Sequence, residues 1–289
     1  MLKKVYLVTL LVTLAFLLLP SKIFGQSKDA TTHTLTGNII VESDFSSKNL
    51  ANKRNIIIYL PPNYKQNSKT HYPVLYLHDG QNIFDQATSF IGQEWQCDET
   101  AEKLILANKI QPIIIVGIYN AGQARIDEYT PSVDAFYNGG KANLYSKFLI
   151  EELKPFIDKK YRTLKDPDNT ALGGSSLGGL VSLFIGLQHP QIFGKLALVS
   201  PSVWWDNKVI LKDIEKISSK PKTKIWLDIG SQEGEESIPD TNRLKEAFVN
   251  KGWQLNRDLK YLVVDGAKHN EEAWAKRFDK ILEFLFPKK

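Results

Sequence analysis

Apolar and polar positions alternate along this chain in two rhythms, and the switch between them marks out the elements. Short β-branched runs at 37–43 and 52–60 read as strands, the second stopped by Pro61-Pro62. Further apolar runs at 72–77, 111–119, 168–172, 195–199, 222–229 and 258–264 also read as strands. Between them, 98–108, 144–161, 177–188, 240–251 and 271–286 carry apolar residues at helical spacing. Stretch 177–188 is apolar on more than one face, as a buried helix would be. The first two strands read as an antiparallel pair. The later ones alternate with helices, which predicts a mostly parallel sheet of eight strands covered on both faces. No internal repeat or long linker interrupts the pattern, so residues 37–289 form one α/β domain.

The start of the chain follows a different logic. Lys3 and Lys4 precede an apolar run, Val5 to Leu19, and then a short polar segment ending in Gly25. This is the layout of a secretory signal peptide, and the run is shorter than the roughly 20 residues that span a bilayer. Cleavage near Gly25 is expected, with 26–36 as a flexible lead-in and a secreted or periplasmic product that is not inserted in the membrane. Removing Lys3, Lys4 and Lys22 takes the formal charge from +5 to +2. The remaining basic residues are scattered, which argues against a nucleic-acid partner. Cys97 is the only cysteine, so the fold has no internal disulfide, and it stands in a helical stretch with no reactive setting.

Candidate chemistry lies at strand ends, where open α/β sheets place their ligand crevice. Gly174, Ser176 and Gly178 form G-x-S-x-G, the strand-turn-helix that holds a nucleophilic serine. Serine needs a base, and His269 follows the last strand. The loop after the seventh strand supplies an acid, Glu233 first, with Glu235, Glu236 and the in-strand Asp228 as rivals. The order serine, acid, histidine is that of the α/β-hydrolase triad. The oxyanion of the intermediate falls to two backbone N–H groups, that of Leu177 and that of Gln81 in the loop after the third strand. No metal or cofactor is called for.

Taken together, Leu75 to Asn82, Gly173 to Gly179, Ser200 to Trp205 and His269 resemble the putative-esterase (esterase D-like) family of α/β-hydrolases. That family includes feruloyl, acetyl-xylan and siderophore esterases, and mycolyltransferases. The resemblance implies Ser176 as nucleophile and His269 as base, acting on a small-molecule or carbohydrate ester. Its acid position is often aspartate, and siderophore-esterase relatives share the glutamate found here. Trp204 and Trp205, after the sixth strand, are expected to offer an aromatic shelf, one of them buried in the core, and Trp95 to line the pocket. Asp79 and Arg125 are further substrate-contact candidates, Arg125 being also a candidate partner of Glu128. An acyltransferase, or a binding protein on the same scaffold, would carry many of the same residues.

Overall fold

The computed structural model describes residues 32–288, so the signal peptide expected at 1–25 lies outside the described residues. Eight strands form one sheet: β1 (Asn38–Ser47), β2 (Asn52–Leu60), β3 (Val74–His78), β4 (Ile114–Ile118), β5 (Thr170–Ser175), β6 (Lys195–Val199), β7 (Lys224–Gly230) and β8 (Leu259–Val264). Their order is β1-β2-β4-β3-β5-β6-β7-β8. β2 runs antiparallel to both β1 and β4, and every other pair is parallel. This is the α/β-hydrolase fold, with β5 at the centre of the sheet.

Alternate side chains feed two cores. Ile56, Ile58, Tyr76, Val116, Leu172 and Leu198 face one way. They pack beneath α3 (Ala142–Lys147), α4 (Lys154–Lys160), α5 (Leu177–Gln188), α6 (Trp205–Glu215) and α7 (Ser237–Asn250). Ile57, Leu75, Ile115, Ala197 and Trp226 face the other way, under α1 (Cys97–Leu106) and α8 (Glu271–Leu285). Burial on both faces explains why the parallel strands read as unbroken apolar runs.

The structure corrects several boundaries. β3 begins at Val74 because Pro73 has no N–H for the ladder, leaving Tyr72 only a bridge to Thr163. β1 continues past Ser43 to Ser47 through a bulge between Glu42 and Phe45, at an exposed sheet edge. The helix expected at 144–161 passes from α3 through a π-helical stretch, Phe148–Leu153, into α4. The widened stretch ends beside Pro155, which has no N–H to continue an α ladder. Short α2 (Arg125–Tyr129), α6 and a small ribbon (Val133–Asp134 with Asn138–Gly139) had no counterpart in the sequence pattern. The lead-in is fastened down from residue 33: His33 Nδ1 lies 2.7 Å from Asp85, and Thr34 and Thr36 bond to Asp85 and Asp98.

Candidate active site

β5 stops at Ser175, and Ser176 turns the chain with φ 57° and ψ −124° before α5 begins at Leu177. An L-residue holds such a conformation only when the surroundings enforce it. Here they do. A Cβ at Gly174 would stand 3.1 Å from the Gly178 backbone and from His78 Cβ, and one at Gly178 would stand 3.2 Å from His78 Cβ. A side chain at either glycine would push strand and helix apart by a few tenths of an ångström. The Ser176 hydroxyl lies 3.2 Å from that of Ser202, whose N–H donates to the Ser176 carbonyl.

His269 follows β8. Its Nδ1 lies 2.7 Å from Glu233 Oε2, and its ring meets Trp274 edge-on, centroids 5.0 Å apart. That pairing leaves Nε2 as the nitrogen able to work on a hydroxyl. The Glu233 carboxylate is buried; its Oε1 accepts from Ser200 Oγ and from the Gly230 N–H, each at 2.7 Å. Burial alone would raise the Glu233 pKa. The hydrogen bonds from His269, Ser200 and Gly230 outweigh it and hold the group below its ordinary value, as an anion. Of its rivals, Glu235 and Glu236 are exposed. Asp228 is fully buried and paired elsewhere, with Arg277 Nη2 at 2.8 Å and Trp226 Nε1 at 2.6 Å.

Ser200, which carries part of the family resemblance but had no role assigned, joins these parts. It donates to Glu233 and accepts from Arg277 (2.7 Å) and Trp274 (3.1 Å), so one donor and two lone pairs are all in use. No local signal reveals it, because its partners come from β7, its following loop and α8.

Ser176, His269, Gln81, Asp79 and Arg125 line one cavity of about 680 Å³. Leu177 is the first residue of α5, where an N–H has no intrahelical acceptor. Gln81 sits in a single 3-10 turn, Gly80–Asn82. Its carbonyl accepts from Thr88 Oγ1 at 2.7 Å and its side-chain oxygen from the Asn120 N–H at 3.2 Å. Gly80 serves close packing: a Cβ there would stand 2.5 Å from the Gly117 carbonyl carbon in β4. Asp79 and Arg125 form a two-pronged ion pair, Nε to Oδ1 and Nη2 to Oδ2, both 2.7 Å, joined by Asn120 Nδ2. Arg125 thus bonds Asp79 rather than Glu128, which takes Arg54 at 2.8 Å. Burial raises the Asp79 pKa, but the Arg125 charge and its hydrogen bonds bring it below the ordinary range.

The aromatic expectations divide. Trp204 is 48% exposed and forms a cluster with Tyr137 (5.6 Å) and Trp205 (5.7 Å). Trp205 itself is core, 1% exposed, with its indole N–H on the Ser132 carbonyl. Trp95 is also core: it packs on Trp274 and Phe278 and supports the cavity wall from behind. The cavity walls without a sequence signal are Phe90 and Ile91, both exposed; Tyr137, beside Trp204, lies in the turn of the small ribbon. His78 belongs to the core: it is buried, bonded to Tyr145 Oη at 2.9 Å, and burial lowers its pKa to about 3.

With this geometry in place, comparison with known proteins assigns the class. The profile of the Putative esterase family matches residues 47–285, and the chain belongs to that family. It is 28% identical to YbbA, an uncharacterised Bacillus subtilis protein, over 84% of this chain and 96% of that one. It is 29% identical to an endo-1,4-beta-xylanase/feruloyl esterase of Xylanibacter ruminicola, over 86% of this chain but only 31% of that protein. It is 30% identical to the iron(III) enterobactin esterase of Dickeya dadantii, over 60% of this chain and 35% of that one. Among solved structures, the BES protein from Bacillus cereus superposes with a TM-score of 0.69 at 27% identity, covering 87% of this chain and 96% of the other.

Proposed function

We propose that this esterase is a secreted or periplasmic serine hydrolase that works through an acyl-enzyme. The observation that carries the reading is the 2.7 Å His269–Glu233 pair, whose His269 lines the same cavity as the Ser176 elbow. His269 Nε2 takes the Ser176 proton as Oγ attacks the ester carbonyl, and Glu233 stabilises the resulting imidazolium. The Leu177 and Gln81 N–H groups hold the oxyanion, each such donor contributing about 3 kcal/mol. His269 then protonates the leaving alcohol. Water enters, His269 removes its proton, and the acid is released.

The substrate we favour is an aryl ester or an acylated carbohydrate. Phe90 and Ile91 give the cavity an apolar wall for an acyl group, and the exposed, edge-to-face Trp204–Tyr137 pair supplies further aromatic surface. Likeness to the xylanase/feruloyl esterase supports the same direction. A siderophore ester is the second reading, supported by the glutamate acid and by likeness to the enterobactin esterase. Turnover of methyl ferulate, acetylated xylan, a catecholate siderophore and p-nitrophenyl acetate tests both. Preference for the first two upholds the favoured substrate; preference for the siderophore replaces it with the second. An added sugar acceptor that diverts product from acid to ester would mark a transferase.

A further inference from the structure

Two buried carboxylates lie outside the esterase cavity and have no use in that chemistry. Glu94, in the loop before α1, is 8% exposed, and Asp98, in the first turn of α1, is 0% exposed. Each gives one oxygen to the lead-in. The Thr34 hydroxyl donates to Glu94 Oε1, and the Thr36 N–H donates to Asp98 Oδ2 at 2.6 Å. The other oxygens, Glu94 Oε2 and Asp98 Oδ1, are buried and meet no hydrogen-bond donor among the described residues, and the same holds for Oε2 of the neighbouring Glu99.

Carboxylate oxygens of all three residues lie within 4.8 Å of one another. Oxygens bound at about 2.4 Å to a common calcium ion stand at most about 4.8 Å apart across it. Like charges buried this closely are costly without a counter-ion. Lys276 lines the adjoining cavity of about 340 Å³, but its ammonium is held by Glu272 at 2.5 Å. The donor group is all oxygen, with neither imidazole nor thiolate, which selects a hard cation. The cavity is also lined by Gln93 and Gln96 and has room for the waters that complete calcium's six to eight ligands.

We propose that Glu94, Asp98 and Glu99 bind a divalent cation, calcium in preference to magnesium, which fastens the lead-in and the loop before α1 to the body of the domain. That loop also carries Phe90 and Ile91, so the ion stiffens one wall of the esterase cavity from outside. The inference does not rest on the esterase reading, because its test measures binding.

The full chain, stripped with EDTA and returned to chelator-free buffer, is titrated by calorimetry with CaCl2 and with MgCl2. It is also melted with each salt against NaCl of equal ionic strength. The expected result is one calcium per chain, weaker magnesium binding, and a Tm rise of about 5 °C at roughly a hundredfold excess over Kd. Glu99→Gln, at the least buried of the three positions, should weaken calcium binding at least about tenfold. Glu94→Gln should do the same if it folds. Absence of heat and of a calcium-specific Tm shift in the wild-type chain overturns the proposal. So does calcium binding of unchanged affinity in Glu99→Gln, which would put the ion elsewhere.

Discussion

At the scale of single residues, Glu233 shows how a carboxylate buried beside a histidine stays ionised. Three donors hold its charge, so its function depends on charge rather than size. Glu233→Gln keeps the shape but leaves His269 without its anion, and a loss of kcat on the order of 10⁴ on a chromogenic ester is expected. Because its folded pKa lies below the unfolded value, Glu233 adds stability at pH above about 4.5, and that stability is lost as pH falls through the folded pKa. His78 acts over a higher window. Folded, it stays neutral down to about pH 3; unfolded, it takes a proton near pH 6.5. The unfolded state therefore binds one more proton between those values, and stability falls with decreasing pH by up to about 1.4 kcal/mol per unit. Thermal melts between pH 7.5 and 4.5 check this against His78→Gln, which should show a shallower decline.

At the scale of elements, the site depends on how closely neighbouring segments approach. Gly80 touches the β4 backbone, so Gly80→Ala must push the Gln81 turn off the sheet. A destabilisation of about 3 kcal/mol in urea unfolding is expected, together with lost turnover, since Gln81 moves with it. α8 contributes Arg277, whose guanidinium lies between Asp228 and Ser200 with its side chain 2% exposed. Arg277→Leu leaves the buried Asp228 without its counter-charge, and a loss of about 3–5 kcal/mol is expected by the same measurement. Neither element was readable to this depth from the chain. Apolar runs told where β4 and α8 lie, because burial on one or two faces leaves a period. They did not tell that a glycine faces a strand rather than a ligand, or that an arginine on a helix turns inward.

For the whole molecule, the legible part was the order of elements and the residues at strand ends. Ser176, Glu233 and His269 could be singled out as candidates because a parallel sheet delivers the residues after its strands to one rim. Contacts made between loops were not legible. Asp79 and Arg125 are 46 positions apart and meet only because α2 folds over the end of β3. Of Trp204 and Trp205 one was expected in the core, and it is Trp205; Trp95 was expected to line the pocket, but its indole is used in the core instead. Export, expected from residues 1–25, predicts a mature chain beginning near Gln26, which N-terminal sequencing of the native product checks.

The central claim is that Ser176 is activated by His269 for acyl capture. A fluorophosphonate probe followed by peptide mass spectrometry tests it most directly. The account predicts one adduct, on Ser176, abolished in Ser176→Ala and slowed by orders of magnitude in His269→Ala. A folded wild-type chain that remains unlabelled, or that carries its adduct on another residue, would contradict it.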